Sequence, residues 1–114
     1  MRLTVVAIAA ALFACGGSMQ NAQPAVTVNN TLEWCEVTVT VGNAAPVMFG
    51  TASQTFQAAA GTTIQLMATP KPTFLPVVWT GTTTMSGTTA TYVVTSAATQ
   101  TVTACCPLSN GTGC

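Results

Sequence analysis

The side chains able to do chemistry in this 114-residue chain are few: Arg2, Lys71, Glu33, Glu36 and five cysteines, with no histidine and no aspartate. A serine or threonine nucleophile needs a base to take its proton, and without an imidazole only Lys71 and the two glutamates remain for that role. Lys71 stands between Pro70 and Pro72, a loop setting in which it reads as a solvated charge rather than a desolvated base. Glu33 and Glu36 are three positions apart in an extended stretch, so they project from opposite faces and do not form a carboxylate pair. The inventory points away from an enzyme, and no cofactor is expected. Clustered Lys and Arg, the electrostatic footprint of a nucleic-acid surface, are absent from the sequence, so no nucleic-acid partner is expected either.

The cysteines carry the remaining chemistry. Cys35, Cys105, Cys106 and Cys114 could in principle hold zinc, but structural zinc sites favour ligand pairs spaced by two to four residues. Here two cysteines are adjacent and the others remote, so no metal is expected and disulfides are. Small domains short of core commonly rely on such staples, which form in oxidising compartments. The fifth cysteine, Cys15, follows a different logic. Residues 1–14, MRLTVVAIAAALFA, place one positive charge before an apolar run, the layout of a secretory signal and too short to span a bilayer. The run ends in Leu12-Phe13-Ala14-Cys15, followed by Gly16-Gly17-Ser18, which resembles the lipobox of bacterial lipoproteins. That resemblance implies a mature chain that starts at a lipidated Cys15 and has the membrane as its first partner. Gly16 after the cysteine resembles the outer-membrane sorting pattern. Cleavage by an ordinary signal peptidase would instead leave the domain periplasmic or secreted.

The elements that must position these cysteines are all β. Residues 15–30 lack charge and mix Gly, Ser, Asn and Gln, the composition of a solvated tether; Val26 and Val28 at its end suggest a short edge strand. The domain proper is expected over 31–106, with a turn-rich tail at 107–114. Trp34 to Val41 alternates cleanly, with Cys35, Val37, Val39 and Val41 on the buried face and Trp34, Glu36, Thr38 and Thr40 on the other. Residues 51–57, 63–68, 90–95 and 100–106 read as further strands, and the segment after the loop 69–76 closes on Trp79, the natural core anchor. The fold expected is a small sandwich or roll of about six short strands, stapled by disulfides. Its core should hold Val37, Val39, Val41, Phe56, Ile64, Leu66, Trp79, Tyr92, Val94 and Val102.

Side-chain parity also predicts the bridges. Cys35 shares the face of Val37 and Val39, and Cys106 that of Val102 and Ala104, so the two are expected to meet in the core from neighbouring strands. Cys105 then faces outward, where the Gly-containing tail can return Cys114 to it. The rival arrangement pairs Cys35 with Cys105. A bridge between Cys105 and Cys106 themselves would need a strained ring. Trp34, on the threonine face by parity, is a candidate ligand contact if exposed and a packing residue if the tether or tail covers it.

From Glu36 to Ala104 the chain also resembles the divergent InlB B-repeat family of bacterial cell-surface proteins. The resemblance rests on the opening strand Val37 to Val41 and the run Ala60-Gly61-Thr62-Thr63-Ile64-Gln65-Leu66-Met67-Ala68-Thr69-Pro70. It continues through Phe74, Val78-Trp79-Thr80-Gly81, Tyr92-Val93-Val94 and Thr101-Val102-Thr103-Ala104. It implies an all-β surface module. The expectation is a non-enzymatic, lipid-anchored domain of the cell envelope, at the outer membrane or cell surface, with a structural or adhesive role. Its partner would be an envelope or surface protein or glycan. The alternative is a secreted or periplasmic module that binds carbohydrate or protein through Trp34 and the threonine-rich strand face.

Overall fold

The computed structural model describes residues 23–114. The signal-peptide reading of 1–14, the expected lipidation of Cys15 and most of the tether lie outside these residues. Nine strands form two sheets: β1 (Ala25–Asn30), β2 (Cys35–Val41), β3 (Val47–Phe49), β4 (Ser53–Gln57), β5 (Thr63–Pro70), β6 (Val78–Thr80), β7 (Thr84–Ser86), β8 (Thr89–Val93) and β9 (Thr99–Cys105). One sheet has four strands in the order β4-β1-β9-β6, and the other has five in the order β3-β2-β5-β8-β7. β1 and β9 pair in parallel, and the other pairings are antiparallel.

The all-β, disulfide-stapled architecture agrees with the sequence reading, and the reason is the period of two. In β5 every second residue is buried, which turns Ile64, Leu66 and Ala68 inward and leaves Thr63, Gln65 and Met67 outside. β2 does the same with Val37 and Val39, and the seven-residue register of β2 on β5 sets the two valines opposite Ala68 and Leu66. A one-residue slip would turn these side chains to solvent, so the pattern fixes the register. From the facing sheet Val26, Val28, Trp79, Val102 and Ala104 complete the core.

The structure corrects several expectations. Among the described residues the strands number nine, because β1 is a full strand of the sheet and β3 and β7 are three-residue edge strands, too short to show a period. β7 lies in the polar stretch 82–88, to which the sequence reading assigns no strand: Gly87 and Thr88 form a two-residue turn that pairs Ser86 with Thr89. Gly87 has φ of 60° while Thr88 does not enter the left-handed region, the signature of a type II′ hairpin. Val41, Phe56 and Tyr92 are half-buried against the core rather than inside it. The end of the tether is also a full six-residue strand. β1 is not an edge strand but lies between β4 and β9, with Val26 and Val28 completely buried.

β2 and β9 belong to different sheets, so the cysteines do not meet across neighbouring strands as parity had suggested. They meet across the sandwich. Parity says which face a residue occupies, and two inward faces can meet only by facing each other.

Candidate functional site

Chemistry-bearing residues collect at one end of the sandwich, where β1 turns into β2 and β9 runs out. A single 3-10 turn, Thr31–Glu33, reverses the chain there, with Leu32 and Glu33 at positive φ. Asn30, buried on β1, holds the turn closed: its amide donates to the Cys35 carbonyl at 2.7 Å and its Oδ1 accepts from the Cys35 N–H at 3.0 Å. Both backbone groups of a fully buried cysteine are thus met by one side chain. An unmet buried polar group costs about 1 to 3 kcal/mol, so Asn30→Ala should lower unfolding free energy by at least about 2 kcal/mol in urea titration, whereas Asn29→Ala should be nearly silent.

Cys35 is bonded to Cys106, with their Cα atoms 5.6 Å apart, and Cys105 to Cys114 at 6.0 Å. The adjacent cysteines serve opposite sides of their sheet. Cys106 points into the core, while Cys105 shares the outer face with Thr101 and Thr103 and is covered by the segment 107–114.

Trp34 departs from its expected place. The strand starts one residue later, and Trp34 itself has αR angles, φ −87° and ψ −8°, so strand parity does not reach it. It is half-buried, stacked on Phe74 with ring centroids 4.9 Å apart and planes at 24°. Gly113 lies so close that a Cβ there would collide with the indole. The tail provides cover there. Phe74 was legible in sequence only as one position of the family resemblance; nothing local marks it as the partner of a tryptophan 40 positions earlier.

Lys71 is not a freely solvated charge. Its N–H donates to the Trp34 carbonyl at 3.0 Å, its Nζ donates to the Gly50 carbonyl at 3.1 Å, and Glu36 Oε2 lies 3.9 Å away. Lys71 therefore ties the loop after β5 to the loop after β3. Gln100, also missed, is buried in phase with Val102 and accepts from the Tyr92 hydroxyl and, at 2.8 Å, from the Thr95 N–H. It donates in turn to the Thr95 and Ala97 carbonyls, which pins the turn between β8 and β9. The strand alternation that places Val102 inside would have placed Gln100 there too. Trp79 is in the core as expected, with its Nε1 lacking a hydrogen-bond partner. Among the described residues no cluster of three His, Cys, Asp or Glu side chains could hold a metal ion.

The outer face of the five-stranded sheet presents a second feature, a shallow depression of about 390 Å³ lined by Thr38, Thr40, Gln65, Met67, Thr89 and Thr91. These residues come from β2, β5 and β8, and cross-strand register sets Thr38 beside Met67 and Thr40 beside Gln65. Threonine side chains, one amide and a thioether line it together with Leu66 and Ala90, so it is largely apolar, and none of these residues is ionisable.

Fold and site together define a two-sheet β-sandwich closed at one end by two disulfides and an aromatic pair. Comparison of the chain with protein-family models, with curated proteins and with solved structures finds no match.

Proposed function

We propose that the protein is a non-enzymatic, lipid-anchored domain of the cell envelope with a structural or adhesive surface role. The observation that carries the reading is the cysteine arithmetic: four of the five cysteines pair with one another. That leaves Cys15, in its lipobox-like setting after an apolar run, for acylation. A tether of uncharged residues before β1 and a resemblance to surface repeats support the same reading. Anchoring by two or more acyl chains is stable because each buried methylene contributes about 0.8 kcal/mol. In cell fractionation the wild-type protein should sediment with membranes, and Cys15→Ser should shift to the soluble fraction or accumulate unprocessed. A Cys15→Ser chain still processed and still in the membrane would refute the anchor.

A second reading, a carbohydrate- or protein-binding module, draws on the charge-free threonine depression and the Trp34–Phe74 pair. Pull-down from envelope extracts separates the two. A partner lost specifically with Trp34→Ala favours binding, and an unchanged profile favours the structural role.

A further inference from the structure

The two disulfides differ in their access to solvent. Cys35 and Cys106 are completely buried, whereas Cys114 is exposed and its partner Cys105 retains a small accessible surface. Exchange requires a thiolate to reach a sulfur of the bridge, so access selects the outer bridge for attack.

What the outer bridge holds is a cover. The near end of the segment is tied down: the Leu75 N–H donates to the Pro107 carbonyl at 2.8 Å, and Phe74 and Leu108 form an isolated antiparallel bridge. Past Leu108 its hydrogen bonds turn inward on the segment. The Leu108 and Gly111 N–H groups donate to the Thr112 and Leu108 carbonyls at 2.9 and 2.7 Å, and Asn110 Oδ1 accepts from Thr112. The far end is held to the sandwich by the Cys105–Cys114 bond, a Cys105 sulfur contact to the Gly113 carbonyl at 3.6 Å, and Gly113 against the Trp34 ring. Cut the bond, and among the described residues little besides the packing of Gly113 on Trp34 restrains residues 109–114.

We propose that this segment is a redox-released cover, opened when a dithiol reduces Cys105–Cys114 while Cys35–Cys106 keeps the two sheets joined. In the step, one thiolate of the dithiol attacks the sulfur of the exposed residue Cys114, and Cys105 leaves as a thiolate and takes a proton. The second thiol of the reductant then displaces Cys114, which also ends as a thiol, and the reductant ends as a disulfide. The two electrons come from the dithiol. Release uncovers the Trp34–Phe74 stack and widens the adjoining depression of about 230 Å³, lined by Thr31, Val78, Thr80 and Thr103 as well as by the cover itself. The anchor proposed above plays no part in this device.

The test treats the oxidised protein with graded dithiothreitol at neutral pH without denaturant, followed by iodoacetamide and mass spectrometry. A species with two labels, on Cys105 and Cys114, should accumulate first, and the other two thiols should appear at least about tenfold more slowly because their sulfurs are inaccessible. That species should keep the far-UV circular dichroism of the oxidised protein but show red-shifted emission and stronger acrylamide quenching. Trp34→Phe should abolish the emission change, since Trp79 stays buried, and the double variant Cys105→Ser/Cys114→Ser should show it without reductant. Four labels arriving together would overturn the proposal. So would a two-label species and a double variant whose emission matches that of the oxidised protein.

Discussion

Cys35→Ser should lower the unfolding free energy by about 4.4 kcal/mol, the loop-closure value for a separation of 71 residues, and Cys114→Ser by only about 2.6, for a separation of 9. The first figure rivals the whole stability of a marginal domain, about 5 kcal/mol at the low end. The Cys35–Cys106 bond joins β2 to the end of β9 across the sandwich, so its loss also frees the two sheets to separate. The Cys105–Cys114 bond holds only a surface segment. Thermal melts of the two variants under non-reducing conditions check the order. Cys35→Ser should be unfolded or sharply less stable, and Cys114→Ser folded with a modestly lower Tm. Equal losses would mean that the long bridge does not staple the core.

Trp79→Ala should cost about 3 to 5 kcal/mol, the range for emptying a buried aromatic site. Trp79 is 3% exposed and sits on β6 opposite Ala104, the small residue whose missing bulk the indole fills. No neighbour on that short edge strand can move in, because Val78 and Thr80 point outward. Trp79→Phe should be far milder, below about 1.5 kcal/mol, since it keeps most of the apolar volume and removes an indole N–H that has no partner in the core. Urea titration of both variants against the wild type provides the comparison. A Phe variant as damaged as the Ala variant would show that the indole N–H is satisfied in solution and that its bond matters.

The same geometry explains what could be read from the sequence. β2 and β5 were legible because each alternates for a full strand, and the parity of β2 and β9 also gave the correct cysteine pairs. β1 was legible only as a short edge strand, through Val26 and Val28. Its central place comes from parallel pairing with β9 more than 70 positions later, which leaves no local trace. β3 and β7 offer three residues each, fewer than a period needs to declare itself. Trp34 was misplaced by one step because the strand rule was carried across a chain reversal that only the Asn30 clasp reveals. Gln100 and Lys71 are partnered by backbone carbonyls of loops, and such partners are set by how the loops fold rather than by residue type.

The proposed anchor and the two staples are tested most directly by the intact mass of the protein extracted from membranes under non-reducing conditions. The expected mass is that of a chain starting at Cys15 with its acyl groups added and four hydrogens removed, two for each of the two bridges. A chain without acyl groups that starts at another residue, or one with four free thiols, would contradict it.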